Sequence, residues 1–309
     1  MTDLPGDLPG KSKAETTVPE TTGPETAPSG ARAQPGLLGL LFGHSSILFG
    51  SILLLAMVLI AVFGPLFTED PRVLNPIDRL KQPSSEHLFG TDYLGRDNFA
   101  RLVYGARVSL VVGLAVSAIA VIIGLAIGMI SGYIRALDGV IMRVMDGIMA
   151  IPGILLAIAL ISLSGATLMT VVIAIMIPEI PRVVRLVRSV VLTVREEPYV
   201  EAAISIGTPL PLILLRHVLP NTVAPLIVQA TYICASAMLI EAILGFLGAG
   251  IPPEIPSWGN IMAEGRTYFQ LAPWIIFYPG IALALTVLAV NVLGDGLRDT
   301  LDPRIARKM

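Results

Sequence analysis

The side chains able to do chemistry are few and scattered. His44, His87 and His217 stand far apart, with no His-Glu-x-x-His pair and no nucleophile elbow around them. Each reads as structural before it reads as a ligand, although folding can join distant residues. Cys234 is the only cysteine, so neither an internal disulfide nor a cysteine-clustered metal site is possible. Gly6 with Gly10-Lys11-Ser12 has the look of a phosphate-binding loop, but its glycine spacing is one residue short and no strand precedes it. ATP hydrolysis by this chain is not expected, and an intramembrane hydrolase ranks last among the alternatives.

Ionisable residues inside long apolar runs are the stronger candidates, because burial in lipid costs them several kcal/mol. Glu179 lies between Pro178 and Pro181, where two prolines can break a helix and leave carbonyls facing a cavity. It is either a gate or hinge, or an inner-edge carboxylate beside Arg182. Glu241 follows Pro220 by about twenty residues, which at 1.5 Å per residue carries it toward the opposite surface. It either lines an outer gate or occupies an interfacial position of structural value only. Asp146 and Asp295 sit near span ends, within reach of Arg143 and Arg298.

The elements that hold these residues follow from composition. The 309 residues are 54% hydrophobic and only 14% charged, too little polar surface to cover a soluble globule. The apolar residues come in runs of about twenty, enough to cross a hydrocarbon core as helices. Six spans are expected, near 45–67, 108–131, 144–163, 166–187, 222–244 and 273–294. Residues 1–36, rich in Pro, Thr, Glu and Gly, read as a disordered tail ahead of a 37–309 transmembrane domain. The polar lead does not suit a signal peptide, so the first span is expected to remain as an anchor. With both termini on the cytoplasmic side, Lys and Arg divide fourteen inside to seven outside, the bias of the positive-inside rule. A net charge of -2 gives no basic excess for nucleic acid, and no recognition motif is present.

Glycines 113, 124, 128 and 132 in the second span are separated by multiples of four apart from one gap of eleven, a spacing for close helix packing or for a lining that admits a peptide backbone. Arg182, Arg185 and Arg188 recur every three residues, as snorkelling anchors or as a partner contact. Two polar stretches exceed simple turns: an external loop over 68–107 and a cytoplasmic loop over 188–221. The external loop is dense in Gly90, Gly95, Asp92, Asp97 and Arg96, which suits tight turns capping the second span. Pro252, Pro253, Pro256 and Trp258 read as a stiff outer loop with an interfacial aromatic.

The cytoplasmic loop carries the most information. In EEPYVEAAISIGTPLPLILLRHVLPN (196–221), Pro198 suits a first helical turn, Glu196 and Glu197 complement a helix N-terminus, and Gly207 suits the residue just past the end. A short helix over 198–206 is expected, with Ala202 and Ala203 small enough for another protein to approach closely. Tyr199 and Ile206 would be its apolar anchors.

At these residues the chain resembles the transmembrane subunits of bacterial ABC importers, whose loop carries Glu-Ala-Ala, three residues, Gly, nine residues, then Ile-x-Leu-Pro. Here the pattern falls on Glu201, Ala202, Ala203, Gly207, His217, Leu219 and Pro220. His217 in place of Ile is similar to the peptide and nickel branch, where His-x-Leu-Pro-Asn is usual. HLFGTDYLGRDNFAR (87–101) and EAILGFLGAGIPPEIPSWGN (241–260) look like signatures of the dipeptide, oligopeptide and nickel permeases, in particular their second, C-type subunit. Gly245 departs from the Ser that many relatives carry. The resemblance spans residues 40–305.

It implies an all-α, type I ABC importer permease of about six transmembrane helices in a bacterial cell membrane. The implied partners are a homologous B-type permease, two ATPase subunits or one fused ATPase, and an extracytoplasmic peptide-binding protein that meets the outer face. Glu201, Ala202, Ala203, Gly207, Leu219 and Pro220 would couple to the ATPases, which would hold ATP and Mg; no cofactor or metal is expected on this chain. Nickel or another small solute is the alternative cargo. A self-contained channel or secondary transporter is the rival of a different class, and it would need midplane carboxylates and repeated halves, neither of which is evident.

Overall fold

The computed structural model describes residues 45–301. The tail, the Gly6 to Ser12 segment and His44 lie outside the described residues. Among the described residues the regular structure is helical apart from an isolated bridge between Thr91 and Asp97. The long helices are α1 (Ser45–Phe63), α2 (Asn98–Tyr133), α5 (Leu168–Arg195), α8 (Leu219–Phe246) and α10 (Trp274–Leu301). Between them lie α3 (Arg135–Met149), α4 (Gly153–Ser164), α6 (Pro198–Ser205), α7 (Leu210–Ile213) and α9 (Trp258–Gly265).

The starts are set by side chains that satisfy orphan amides. Asp97 accepts from Ala100 N–H at 2.8 Å and opens α2. Thr167 with Thr170 opens α5, and Ser257 with Asn260 opens α9, each as a reciprocal capping pair.

The central seam joins α2 to α5. A Cβ placed on Gly124, Gly128 or Gly132 would fall 2.5, 2.7 or 2.6 Å from the Cβ of Val183, Val187 or Val191. Both sets advance by four residues in the same direction, so the helices run parallel and touch backbone to side chain for more than two turns. The packing reading of these glycines is the one the structure bears out. Gly113 serves α8 in the same manner, against Cys234 and Met238. On the far flank α1 packs antiparallel to α10, with Gly50 against Ala289 and Leu293, and Gly296 against Ile47.

Because α2 and α5 are parallel, the chain between them must return along the bundle, and α3 with α4 does so. The expected 144–163 span is not one straight helix: it breaks at Ala150 to Pro152, and α3 and α4 meet at 84°. Pro152 supplies the reason, since a proline drives the residue before it out of helical conformation. Four described helical segments are long and apolar enough to cross a membrane, and the bent pair makes a fifth. The α5 segment, expected as a span, falls outside that set because Glu179, Arg182 and Arg185 crowd its apolar stretch. Pro178 and Pro181 also do not break it as expected; α5 continues through both, with Pro181 buried and Pro178 seated against Gly153. Prolines are accommodated in such helices when neighbouring groups take over the freed carbonyls.

Candidate functional site

The short helix predicted from the loop is α6. Pro198 occupies its first turn, where the missing amide costs nothing. Gly207 ends it at φ +80°, with Thr208 N–H bonded to Ala203 O at 3.0 Å and Gly207 N–H to Ile204 O at 2.9 Å. This is the Schellman closure, for which a left-handed residue is needed. Nothing lies within 4 Å of where a Gly207 side chain would begin, so the constraint is backbone conformation alone.

Val200 and Ala203 face inward, Val200 joining Val194, Ile213 and Val218 in the main core. Ala203 is therefore buried among this chain's own residues, whereas Ala202, the other small residue expected to admit a partner, is exposed. Glu201, Ala202, Ile204, Ser205 and Ile206 are exposed, Ile206 at 83%. Tyr199 is only partly free: it lies 6.0 Å from the His217 ring and accepts from Asn221 Nδ2 at 3.3 Å. The same Asn221 amide donates to His217 O at 2.6 Å. It stands one residue after Pro220, which has no amide to give, and a π-turn at Leu214–Val218 absorbs the mismatch. Leu219 is half-buried and Pro220 exposed at the start of α8. These residues tie a protruding hook to the root of a long helix.

The second feature is a hollow of about 400 Å³ where the α3–α4 break faces the middle of α5. Ile151, Pro152, Pro178, Glu179, Arg182 and Ile240 are among its walls. Glu179 is buried at 2% exposure, and both its oxygens accept from Arg182 Nη1, at 2.9 and 3.0 Å. Of the two readings of Glu179, the neighbour of Arg182 is the one this geometry shows.

Each arginine of the α5 series has an acidic partner within this chain, while its side chain keeps about a third to a half of its exposure. Arg182 pairs with Glu179, Arg185 with Asp146 at 2.6 Å, and Arg188 with Asp138 at 2.5 and 2.6 Å. Asp146 therefore does not pair with Arg143, and Asp295 is exposed with no ion pair among the described residues. Asp138 was missed as a partner; its signal was that it lies eight residues before Asp146, on a helix that has to accompany α5.

Glu241 is fully buried, not interfacial. It accepts from Ser109 Oγ on α2 at 3.1 Å, and its other oxygen has no partner. Close approach of α8 and α9 causes the burial: a Cβ on Gly259 would strike the Ala242 backbone at 2.7 Å, and one on Gly245 the Asn260 amide at 3.0 Å. Trp258 is likewise no interfacial anchor. It is fully buried, and its indole N–H donates to Leu102 O at 3.1 Å.

The 68–97 segment caps α2 as expected, through a charge network that sequence reading did not find. Asp92 Oδ2 and Glu264 Oε2 each accept from both Arg96 and Arg101 at 2.6 Å, joining the loop to α9. Gly95, at φ +78°, passes so close to Asn75 O that no side chain fits. Among the described residues no group of His, Cys, Asp and Glu is placed to hold a metal ion.

Long apolar helices, a bent return pair and an exposed hook closed by a left-handed glycine define a helical membrane protein. The family of binding-protein-dependent transport system inner membrane components matches residues 120–307, and this chain belongs to it. A probable peptide ABC transporter permease protein of Sinorhizobium fredii is 56% identical over 265 residues, covering 86% of this chain and 91% of that protein. The dipeptide transport system permease DppC of Alkalihalophilus pseudofirmus is 45% identical, covering 83% and 85%. Among solved structures, one of the inward-facing MetNI methionine ABC transporter covers 63% of this chain and 94% of its own, at TM-score 0.48 and 19% identity.

Proposed function

We propose that this chain is the C-type channel-forming subunit of an ATP-driven importer of dipeptides and oligopeptides. It pairs with a homologous B-type permease, receives substrate from an extracytoplasmic binding protein and releases it to the cytoplasm by alternating access. Two ATPase subunits, or one fused ATPase, hold ATP and Mg and drive the cycle; this chain binds neither. The Lys and Arg distribution supports the orientation in which α6 and both termini face the cytoplasm. Peptide as cargo is supported by the relatives, whose names state peptide and dipeptide transport.

The observation that carries the coupling role is α6 itself. A helix of eight residues exposing Glu201, Ala202 and Ile206, rooted through Val200 and Ala203, presents a rigid peg rather than a mobile loop. Leu219 and Pro220 pass its displacement to α8, and Gly207 sets its angle. The test is uptake of labelled dipeptide, and separately of nickel, in cells lacking this chain and supplied with wild type or Gly207→Val. A β-branched residue at φ +80° costs on the order of 1–2 kcal/mol and reorients the hook. Peptide uptake by wild type and its loss in the variant, at equal membrane abundance, is the expected result. Full uptake by the variant removes the case for the hook, and nickel uptake alone reassigns the cargo.

A further inference from the structure

The hollow at the α3–α4 break carries three observations that belong together. Its wall at Ile151 and Pro152 is non-helical backbone, which at membrane depth is tolerated only when buried in protein or lining a water-filled cavity. Its side chains are apolar at Met149, Ile151, Ile154 and Ile240, leaving Glu179 and Arg182 as its charged groups. The pair is also asymmetric: the Glu179 side chain is 2% exposed and the Arg182 side chain 46%. One guanidinium nitrogen satisfies both carboxylate oxygens. The acid is fixed in place, whereas the base is free to swing out, provided another cation replaces it. Without a replacement the buried carboxylate would stand unpaired, which is strongly unfavourable.

We infer that Glu179 is a counter-ion exchange site: the α-ammonium of a passing peptide takes the place of Arg182 on the Glu179 carboxylate, and Arg182 returns as the peptide leaves. This rests on the peptide-importer reading. An ammonium carries three donors on a compact charge and can span the two oxygens that Arg182 now occupies. A divalent metal would need further ligands, and the described residues bring none to the hollow. Exchange of one cation for another keeps the carboxylate paired throughout, so occupancy is favourable enough for entry and weak enough for release. Arg182 is a positioning residue here, holding the empty site until cargo arrives.

The experiment uses the complete transporter, both permeases with ATPases and binding protein, in proteoliposomes loaded with ATP. The charge-exchanged variant Glu179→Arg with Arg182→Glu keeps an ion pair but puts the cation in the buried position. A purely structural pair predicts that it imports dipeptide normally. Counter-ion exchange predicts that the variant complex assembles and that import turnover falls about tenfold or more, the scale of a lost hydrogen bond to a charged group. Wild-type turnover in the exchanged variant overturns the inference. Should that variant not assemble, Glu179→Gln and Glu179→Asp decide: the inference requires a comparable loss in the first and substantial recovery in the second, and equal turnover in both overturns it. Absence of peptide import by the wild-type complex refutes the functional reading instead, and is recognised without reference to the variants.

Discussion

Gly124 offers the sharpest test of how the bundle is held together. An alanine there would place its Cβ 2.5 Å from the Val183 Cβ and 2.6 Å from Cγ1, whereas carbon atoms settle at about 3.5–4.0 Å. Ile180 O is the next nearest atom at 3.4 Å, so the severe conflict is with one side chain. Relief requires α2 and α5 to part by about 1 Å, and the Gly128 and Gly132 contacts open with them. Overpacking of this kind costs about 1–3 kcal/mol. Val183→Gly alone removes a fully buried side chain and weakens the helix, at about 2–4 kcal/mol. Together the two changes should cost less than their sum by about 1–2 kcal/mol, because the new methyl fills the space the valine leaves. Thermal unfolding of the purified complex in detergent reads this out, on the order of 2–4 °C per kcal/mol. A Gly124→Ala protein as stable as wild type, or strictly additive losses in the double variant, would refute the seam as described.

Further outcomes follow from buried polar groups. Arg101→Met leaves Asp92 and Glu264 short of a partner at a site 1% exposed, and should destabilise by about 3–5 kcal/mol, while Arg107→Met at an exposed position should leave the unfolding temperature unchanged. Equal effects of the two would show that the network contributes nothing. Trp258→Phe should remove the bluer of two tryptophan emissions and cost about 0.5–1.5 kcal/mol through loss of the indole bond to Leu102 O, which keeps its place in the α2 ladder. A red-shifted loss on that substitution would place Trp258 in a wet environment and contradict its burial.

Local chemistry in the chain fixed more than its helices. Apolar runs of membrane length dictate long helices wherever they occur, and Pro198 and Gly207 mark the ends of α6 because their backbone preferences are intrinsic. Gly124, Gly128 and Gly132 announce a close seam because only a missing side chain lets two helices approach so nearly. The motif over Glu201 to Pro220 identified the hook for the same reason, being built from neighbours in sequence.

What the sequence could not supply was the identity of partners across long separations. Nothing local pairs Arg188 with Asp138 or Arg101 with Glu264, because those contacts exist only once α2, α3, α5 and α9 are packed. Glu241, from its distance along a helix, and Trp258, from an expected outer loop, read as lying near the outer surface, and become core because glycines 245 and 259 let α8 and α9 approach closely. Pro152 breaks its helix, whereas Pro178 and Pro181 do not break theirs. The residue is the same, and the outcome is set by whether neighbouring helices hold the chain on either side. Tertiary packing therefore decided which charges are paired and buried, since that depends on surroundings that no local sequence window contains.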